Sequence, residues 1–116
     1  YKINNFMKLN IMKKGINNIV IEAKRWFDKI NGNTYHSVTV HVNGKCIGKV
    51  PFTYGYDRQY LQTAHTMLQE VGIYPITGKI LSSGANKDYY DFSNDMRKHK
   101  NKFVVTVADV GRKKDL

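Results

Sequence analysis

Three aspartates, Asp88, Asp91 and Asp95, are spaced three and four residues apart in the C-terminal third of the chain. The segment around them has a helical pattern, and on a helix this spacing places the three carboxylates on roughly one side. Carboxylate oxygens are ligands that Mg²⁺ prefers, and a bound Mg²⁺ supports nuclease chemistry. Acidic residues near a helix N-terminus also stabilise the helix dipole without any ligand. We favour this second interpretation and keep a metal-dependent nuclease as the weaker alternative.

The other residues that carry chemistry form no catalytic motif. Cys46 is the only cysteine and the four histidines are scattered, so the sequence has neither a zinc pattern nor the partner for an internal disulfide. No glycine-rich phosphate loop occurs. His36 is predicted to face inward and to bond to the backbone, rather than to act as a general base. We therefore predict no enzyme activity, no bound metal and no cofactor.

Basic and aromatic residues are interleaved along much of the chain. The 19 Lys+Arg against 9 Asp+Glu give a formal net charge of +10, which favours a polyanionic partner. Nucleic-acid bases stack on Tyr and Trp rings, while Lys and Arg side chains hold phosphates. The residues that we expect to contact nucleic acid or another partner are Lys24, Arg25, Tyr35, His41, Lys45, Lys49, Tyr54, Tyr56, Arg58, Arg97, Lys98, Lys100 and Lys102.

The aromatic residues divide into two groups. Trp26 and Phe52 are predicted to belong to the core, because large aromatic side chains bury most of their surface when a hairpin closes. Tyr54 and Tyr56 flank Gly55 in a predicted loop, where packing in the core does not explain why two tyrosines are present. The same two tyrosines would also suit a protein interface, since Tyr and Arg are enriched there.

Alternation of apolar and polar residues predicts three strands, over residues 18–29, 34–42 and 46–52. Residues 31–33 and 43–44 carry the Asn and Gly residues that are typical of tight turns. The alternation blurs at residues 25–27, which predicts a bulge in the first strand.

The turn at Asn43-Gly44 decides which side chains meet across the second hairpin. A two-residue turn would set valines beside lysines on one face, which makes a poor core. We therefore predict a three-residue loop with a bulge at Gly44, in which His36 meets Val50. In that register His41 and Cys46 point to different faces, which argues against cysteine catalysis. The open face of the hairpin would carry Ser37, Thr39, His41, Lys45 and Lys49.

Two helices and a last strand follow. Asp57 is the predicted N-cap of a helix over residues 58–71, and Gly72 stands where a glycine ends a helix. Residues 76–81 have the pattern of a short strand, and Asp88 is the predicted cap of a second helix that ends near residue 98. The basic run 97–102 suits the C-terminal end of that helix. Residues 103–110 are predicted to form the final strand.

These elements predict one α+β domain over residues 18–111. We expect an antiparallel sheet, composed of a three-stranded βββα unit and a C-terminal strand, with two helices packed on one face. Residues 1–17 are predicted to be a basic N-terminal arm and residues 112–116 a basic C-terminal tail. No apolar run approaches the roughly 20 residues of a membrane span, and the first residues do not resemble a signal peptide. We therefore expect a cytoplasmic protein without a membrane partner.

Two resemblances to known proteins bear on the predicted fold and on the class of protein. The stretch from Val38 to Lys49 resembles the second hairpin of double-stranded-RNA-binding domains, and residues 19–71 resemble their βββα layout. The resemblance implies a layout and not a specificity, because that family opens its second helix with a Lys-Lys-x-Ala-Lys-like phosphate clamp and this chain has Asp57-Arg58-Gln59-Tyr60. The segments GNTYHSV and FTYGYDRQYLQTA resemble small uncharacterised phage-borne proteins.

The sequence as a whole favours a small basic non-enzymatic protein of a phage or mobile element, present in the cytoplasm of its bacterial host. We expect its partner to be DNA, RNA or a nucleoprotein complex, bound through a surface of Lys, Arg and Tyr. A protein that inhibits a host defence complex, as anti-CRISPR proteins do, is the alternative and would use the same surface. Both a monomer and a homodimer stay open.

Overall fold

A four-stranded sheet forms the centre of the protein. The computed structural model describes residues 15–116. Neighbouring strands follow the order β3-β2-β1-β4, with β1–β2 and β2–β3 antiparallel and β4 parallel to β1. The strands are β1 Ile19–Asp28, β2 Asn33–Val42, β3 Lys45–Tyr54 and β4 Phe103–Val110. The predicted α+β class is confirmed, and the sheet is antiparallel as predicted except that the C-terminal strand β4 pairs parallel with β1.

Two helices, α1 (Tyr60–Glu70) and α2 (Lys87–Lys98), connect β3 to β4. α1 packs on β1 and β2, and α2 packs on α1 and contacts Phe103 of β4 through Phe92. Two short 3₁₀ segments, Lys100–Lys102 and Lys113–Asp115, precede and follow β4. The connection through both helices is long enough to return the chain to the far side of β1, and this makes the parallel β1–β4 pair possible. Of the predicted arm over residues 1–17, only residues 15–17 lie within the described part of the chain.

The core lies between the sheet and α1. Alternate residues of β1 and β2 are buried on one face, and the i, i+3, i+4 stripe of α1 covers them. Phe92 of α2 is completely buried at the side of this layer. Burying one such large side chain contributes about 1.5–3 kcal/mol. The buried apolar residues of β1, β2 and α1 are Ile19, Ile21, Ala23, Val38, Val40, Tyr60, Leu61, Ala64, Met67 and Leu68.

The second hairpin has a two-residue turn, so the predicted three-residue loop is wrong. Asn43 and Gly44 both have positive φ angles of 52° and 80°, which is the type I′ geometry, and Val42 pairs with Lys45. The Asn43 side chain holds this turn, because its Oδ1 accepts hydrogen bonds from the N–H groups of Asn17 at 2.8 Å and Asn18 at 3.2 Å. Because these hydrogen bonds join residues that are far apart in the sequence, no local sequence pattern predicts them.

Two bulges in β3 restore the core after this turn. His41 pairs with Cys46 and Val40 with Gly48, so one extra β3 residue stands between the two pairs. A second irregularity lies between the pair Val38–Val50 and the next one. Gly48 and Val50 are thereby set beside core valines, and His41 and Cys46 share a face instead of pointing apart as predicted. The bulge predicted at residues 25–27 is wrong, because β1 pairs with β2 continuously.

The helix starts also differ from the prediction. Asp57 is not an N-cap: it has a φ of 54°, and α1 begins at Tyr60 without a side-chain cap. Asn86 caps α2 by accepting the N–H of Tyr89, while Asp88 accepts hydrogen bonds from the loop at Thr77 and Gly78 instead. The short strand predicted over residues 76–81 is wrong as well, since only a single bridge from Ile80 to Asn86 forms there.

Two histidines are buried inside this fold. His36 contacts the Gly55 carbonyl oxygen through Nδ1 at 3.2 Å and the Thr63 hydroxyl through Nε2 at 2.7 Å, which confirms its inward position. His65 lies against the ring of Phe92, with centroids 4.9 Å apart. Burial lowers the pKa of both histidines; the Gly55 contact partly opposes this shift for His36, and the charge of Asp88 partly opposes it for His65.

We expect the free energy of unfolding to fall as the pH drops below the ordinary histidine pKa of 6.5. A histidine whose pKa is lowered by folding binds protons more strongly in the unfolded chain, so its contribution is present above that pH and is lost below it. Urea unfolding at about pH 7.5 and about pH 5 measures the difference. His36→Gln should reduce it, whereas His99→Gln, at an exposed position, should not. Equal stability of the wild type at both pH values would contradict this assignment.

Candidate nucleic-acid interface

The face of the sheet that α1 does not cover is called the open face here. Ile21 and Val40 point toward α1, so the alternate residues of the same strands point the other way. On β1 these are Glu22, Lys24 and Trp26, and on β2 they are Tyr35, Thr39 and His41. Lys49 joins them from β3, because it pairs with Thr39.

Three aromatic rings cross the open face from β1 to β3. Trp26 pairs with Tyr35 across the strands, and their ring centroids lie 5.9 Å apart at an interplanar angle of 25°. Tyr35 stacks on Phe52 at 4.5 Å and 18°. We call Trp26, Tyr35 and Phe52 the aromatic ladder. The prediction that Trp26 and Phe52 are core residues is wrong: the second β3 irregularity turns Phe52 toward Tyr35, and 40 % of its surface is exposed.

The C-terminal tail supplies a cation to this ladder. The Lys113 ammonium lies 4.7 Å from the centroid of the Phe52 ring. Tyr35 already contacts one face of that ring, and a 4.5 Å spacing between nearly parallel rings leaves no room for an ammonium between them. Lys113 therefore lies over the opposite face, in cation–π geometry. Sequence reasoning missed this residue, because its distance of 61 positions from Phe52 leaves no local signal.

Two predicted lysines also belong to the open face. Lys24 pairs with Ser37 and Lys49 with Thr39, and both lysines are exposed. His41 lies at the other end of the face, where its Nε2 is 3.8 Å from the Glu22 carboxylate. Lys24 therefore lies next to the aromatic ladder, whereas Lys49 lies in the same row as Glu22, toward the His41 end of the face.

Arg25 is held on the opposite side of the sheet from Lys24. Its guanidinium donates to both carboxylate oxygens of Asp109, at 2.8 and 3.3 Å, and to the Asp57 carbonyl oxygen at 2.9 Å. The hydrogen bond with Asp109 raises the pKa of Arg25 further above its ordinary value. These contacts tie β1 to β4 and to the segment before α1, so Arg25 has a structural role and three of its N–H donors are engaged.

The other predicted cations lie away from the open face. Lys45 was expected there, but the two-residue turn pairs it with Val42 on the helix side. Arg58, Arg97 and Lys100 line a groove between the helices and β4. Lys98 is exposed at the end of α2, and Lys102 lies near Asp95 and His99.

Tyr54 and Tyr56 are exposed at the end of the aromatic ladder. Tyr54 pairs with Tyr35, and its ring meets that of Tyr35 edge-on at 5.9 Å. Gly55 between them is buried, and its N–H donates to the Thr34 carbonyl oxygen at 3.0 Å. A Cβ on Gly55 would come within 2.7 Å of His36 Cε1 and of Gln59 Oε1. Buried His36 therefore positions this loop through its contact with the Gly55 carbonyl group.

The three aspartates that suggested a metal site have separate partners. Asp91 pairs with Lys87 at 2.7 Å, and Asp95 accepts a hydrogen bond from the Tyr74 hydroxyl at 3.0 Å. Burial alone would raise the pKa of Asp88, but hydrogen bonds from Thr77 and Gly78 lower it below its ordinary value. Across residues 15–116, no three side chains of the His, Cys, Asp and Glu types converge as metal ligands. The nuclease hypothesis gains no support from this arrangement.

No protein-family model matches the chain, and neither a curated protein nor a solved structure is significantly similar to it. Among residues 15–116, no helix is both long and apolar enough to cross a membrane.

We expect Gly55→Ala to lower the free energy of unfolding by about 1–3 kcal/mol, because the added methyl group overlaps His36 and Gln59. Gly111→Ala is the matched control, since an added Cβ there has no atom within 4 Å. Urea titration of both variants gives the comparison. Equal stability of the two would show that the His36–Gly55 contact does not constrain the loop.

Proposed function

We propose that this protein binds single-stranded nucleic acid on the open face of its sheet. The observation that carries the proposal is the exposed ring of Tyr54 at the end of the aromatic ladder, with Lys24, Lys49 and Lys113 on the same face. Bases stack on exposed aromatic side chains, and neighbouring ammonium groups neutralise the phosphates that follow. This is a binding function without a chemical step.

The geometry favours a single strand over a duplex. Rings can contact base faces only where the bases are unstacked, as in single strands, loops and ends. Within the ladder Tyr35 and Lys113 cover the two faces of Phe52, so the ladder supports this surface and the exposed Tyr54 ring at its end offers a face to a base. Tyr54, exposed beside Tyr35, extends the same surface toward the loop.

A protein partner in place of nucleic acid is the second candidate for this surface. Tyr54 and Tyr56 are exposed next to Arg58, and Tyr and Arg are enriched at the centres of protein interfaces. A host defence complex would be such a partner. A steep dependence of affinity on salt is expected of the nucleic-acid function, because bound phosphates release counterions.

Tyr54→Ala should weaken the binding of a fluorescein-labelled single-stranded oligonucleotide by about five- to a hundredfold, measured by anisotropy at low salt, because Tyr54 is 59 % exposed and meets Tyr35 only edge-on. The loss corresponds to about 1–3 kcal/mol for one stacked base. Phe27→Ala is the control, because Phe27 is also exposed, at 53 %, but alternation places it on the other side of β1. If wild-type protein bound neither DNA nor RNA at low salt, the proposed function would be wrong and the protein-partner hypothesis would gain.

The double substitution Lys24→Gln and Lys49→Gln should make affinity less dependent on salt. Each phosphate contact contributes a slope of about −0.7 in a plot of log K against log salt for single strands, so losing two contacts should reduce the slope by about 1.4. The matched pair Lys98→Gln and Lys45→Gln removes the same charge away from the open face and should leave the slope nearly unchanged. Equal changes in both double variants would mean that net charge, and not this face, determines binding.

A further inference from the structure

The two edges of the sheet are built differently. The β3 edge carries Lys45, Lys49 and Pro51 and is interrupted by two bulges, and all of these features prevent another strand from pairing there. The β4 edge, FVVTVADV, has no Lys, Arg, Pro or Gly and pairs with β1 regularly along its whole length. Within residues 15–116, the outer edge of β4 has no strand beside it. Only one edge is therefore protected against strand addition.

The surface beside β4 is apolar and only partly covered. Val105 and Val107 pair with the buried residues Ile21 and Ala23, yet 38 % and 40 % of their own surfaces are exposed, because the helix layer ends before β4. A groove of about 480 Å³, the β4 groove, opens there. Its apolar lining includes Leu61, Met96, Phe103 and Val105, and its cations are Arg58, Arg97 and Lys100. Alternate side chains of an added strand would point toward this groove.

Basic residues also lie at both ends of β4. Lys100 and Lys102 precede the strand, and Arg112 and Lys114 follow it; Arg112 is also paired with Asp115 at 3.1 Å. An extended segment with apolar residues in its middle and acidic residues at its ends would match this pattern in either direction. We propose that an acidic, extended segment of another protein adds to β4 as a fifth strand. Main-chain hydrogen bonds to the edge would supply affinity, and the β4 groove would select its side chains.

Charge disfavours two other occupants of this edge. Two copies of β4 related by a twofold axis pair antiparallel, so the cations before β4 in one copy would approach those after β4 in the other. The first 14 residues of the chain contain four lysines and no acidic residue, and they too would bring like charge to these ends. A nucleic acid suits the cations but has no peptide groups with which to extend the sheet.

The test uses full-length protein and a labelled peptide of about ten residues with alternating Val and Thr in the middle and two Glu at each end. A peptide with the same middle and Lys at the ends is the comparison. We expect the Glu-ended peptide to bind and the Lys-ended peptide to bind at least about tenfold more weakly. Backbone amides of β4 should become protected from hydrogen exchange only with the Glu-ended peptide.

Val107→Glu should weaken the binding of the Glu-ended peptide at least about tenfold, because the substitution places a repelling charge on β4 itself. Val71→Glu is the matched control: its charge change is identical and 39 % of Val71 is exposed, but it lies at the end of α1. Equal losses in the two variants would overturn the proposal, because they would indicate attraction by net charge alone. Thermal unfolding of both variants checks that the fold is kept.

Three further outcomes would also overturn this proposal. They are failure of the Glu-ended peptide to bind, a stable dimer with β4 amides protected in the absence of peptide, and displacement of the peptide by a single-stranded oligonucleotide whose own binding is also weakened by Val107→Glu. The last would assign the β4 groove to phosphates. The inference does not rest on the proposed function: Tyr54→Ala tests the open face, Val107→Glu tests β4, and either can fail alone.

Discussion

The continuous pairing of β1 with β2 is the interaction on which the rest of the structure depends. The two strands pair along ten positions, from Ile19 with Val42 to Asp28 with Asn33. Because side chains alternate, this one register sends Ile21 and Val40 toward α1 and Trp26 and Tyr35 to the other side. A slip of one residue would exchange the two faces. The core and the aromatic ladder therefore follow from a single constraint.

The irregularities of β3 adapt the third strand to that register. The Asn43-Gly44 turn fits the right-handed twist of the strands, but alone it would carry lysines into the core. Inserting one residue after Cys46 returns Val50 to the core and leaves Lys49 on the open face. A second irregularity brings Phe52 against Tyr35. The two irregularities that place β3 residues on the core face and on the open face also make β3 a poor template for a further strand.

Neighbouring basic residues have different roles because they point to opposite sides of the sheet. Arg25 is engaged by Asp109 and the Asp57 carbonyl group, and so links β1 to β4 and to the segment before α1. Lys24, one residue earlier, is exposed beside the ladder. Arg58, Arg97 and Lys100 line the β4 groove, whereas β4 itself has no basic residue. Basic residues of the described part of the chain thus occur on two surfaces of different chemistry, one with aromatic rings and one with an open strand edge.

The sequence by itself determined the class of the fold, the three hairpin strands, the apolar stripe of α1, the final strand and the inward position of His36, because these depend on alternation and helical periodicity within short segments. It also identified Tyr35, Lys24 and Lys49 as binding residues, which remains a prediction. Only the tertiary structure decided the parallel pairing of β4, the contact of Lys113 with Phe52 and the pairing of Arg25 with Asp109. The physical reason is distance along the chain: these groups meet only after both helices have returned the chain to the sheet, and no local pattern records such a meeting.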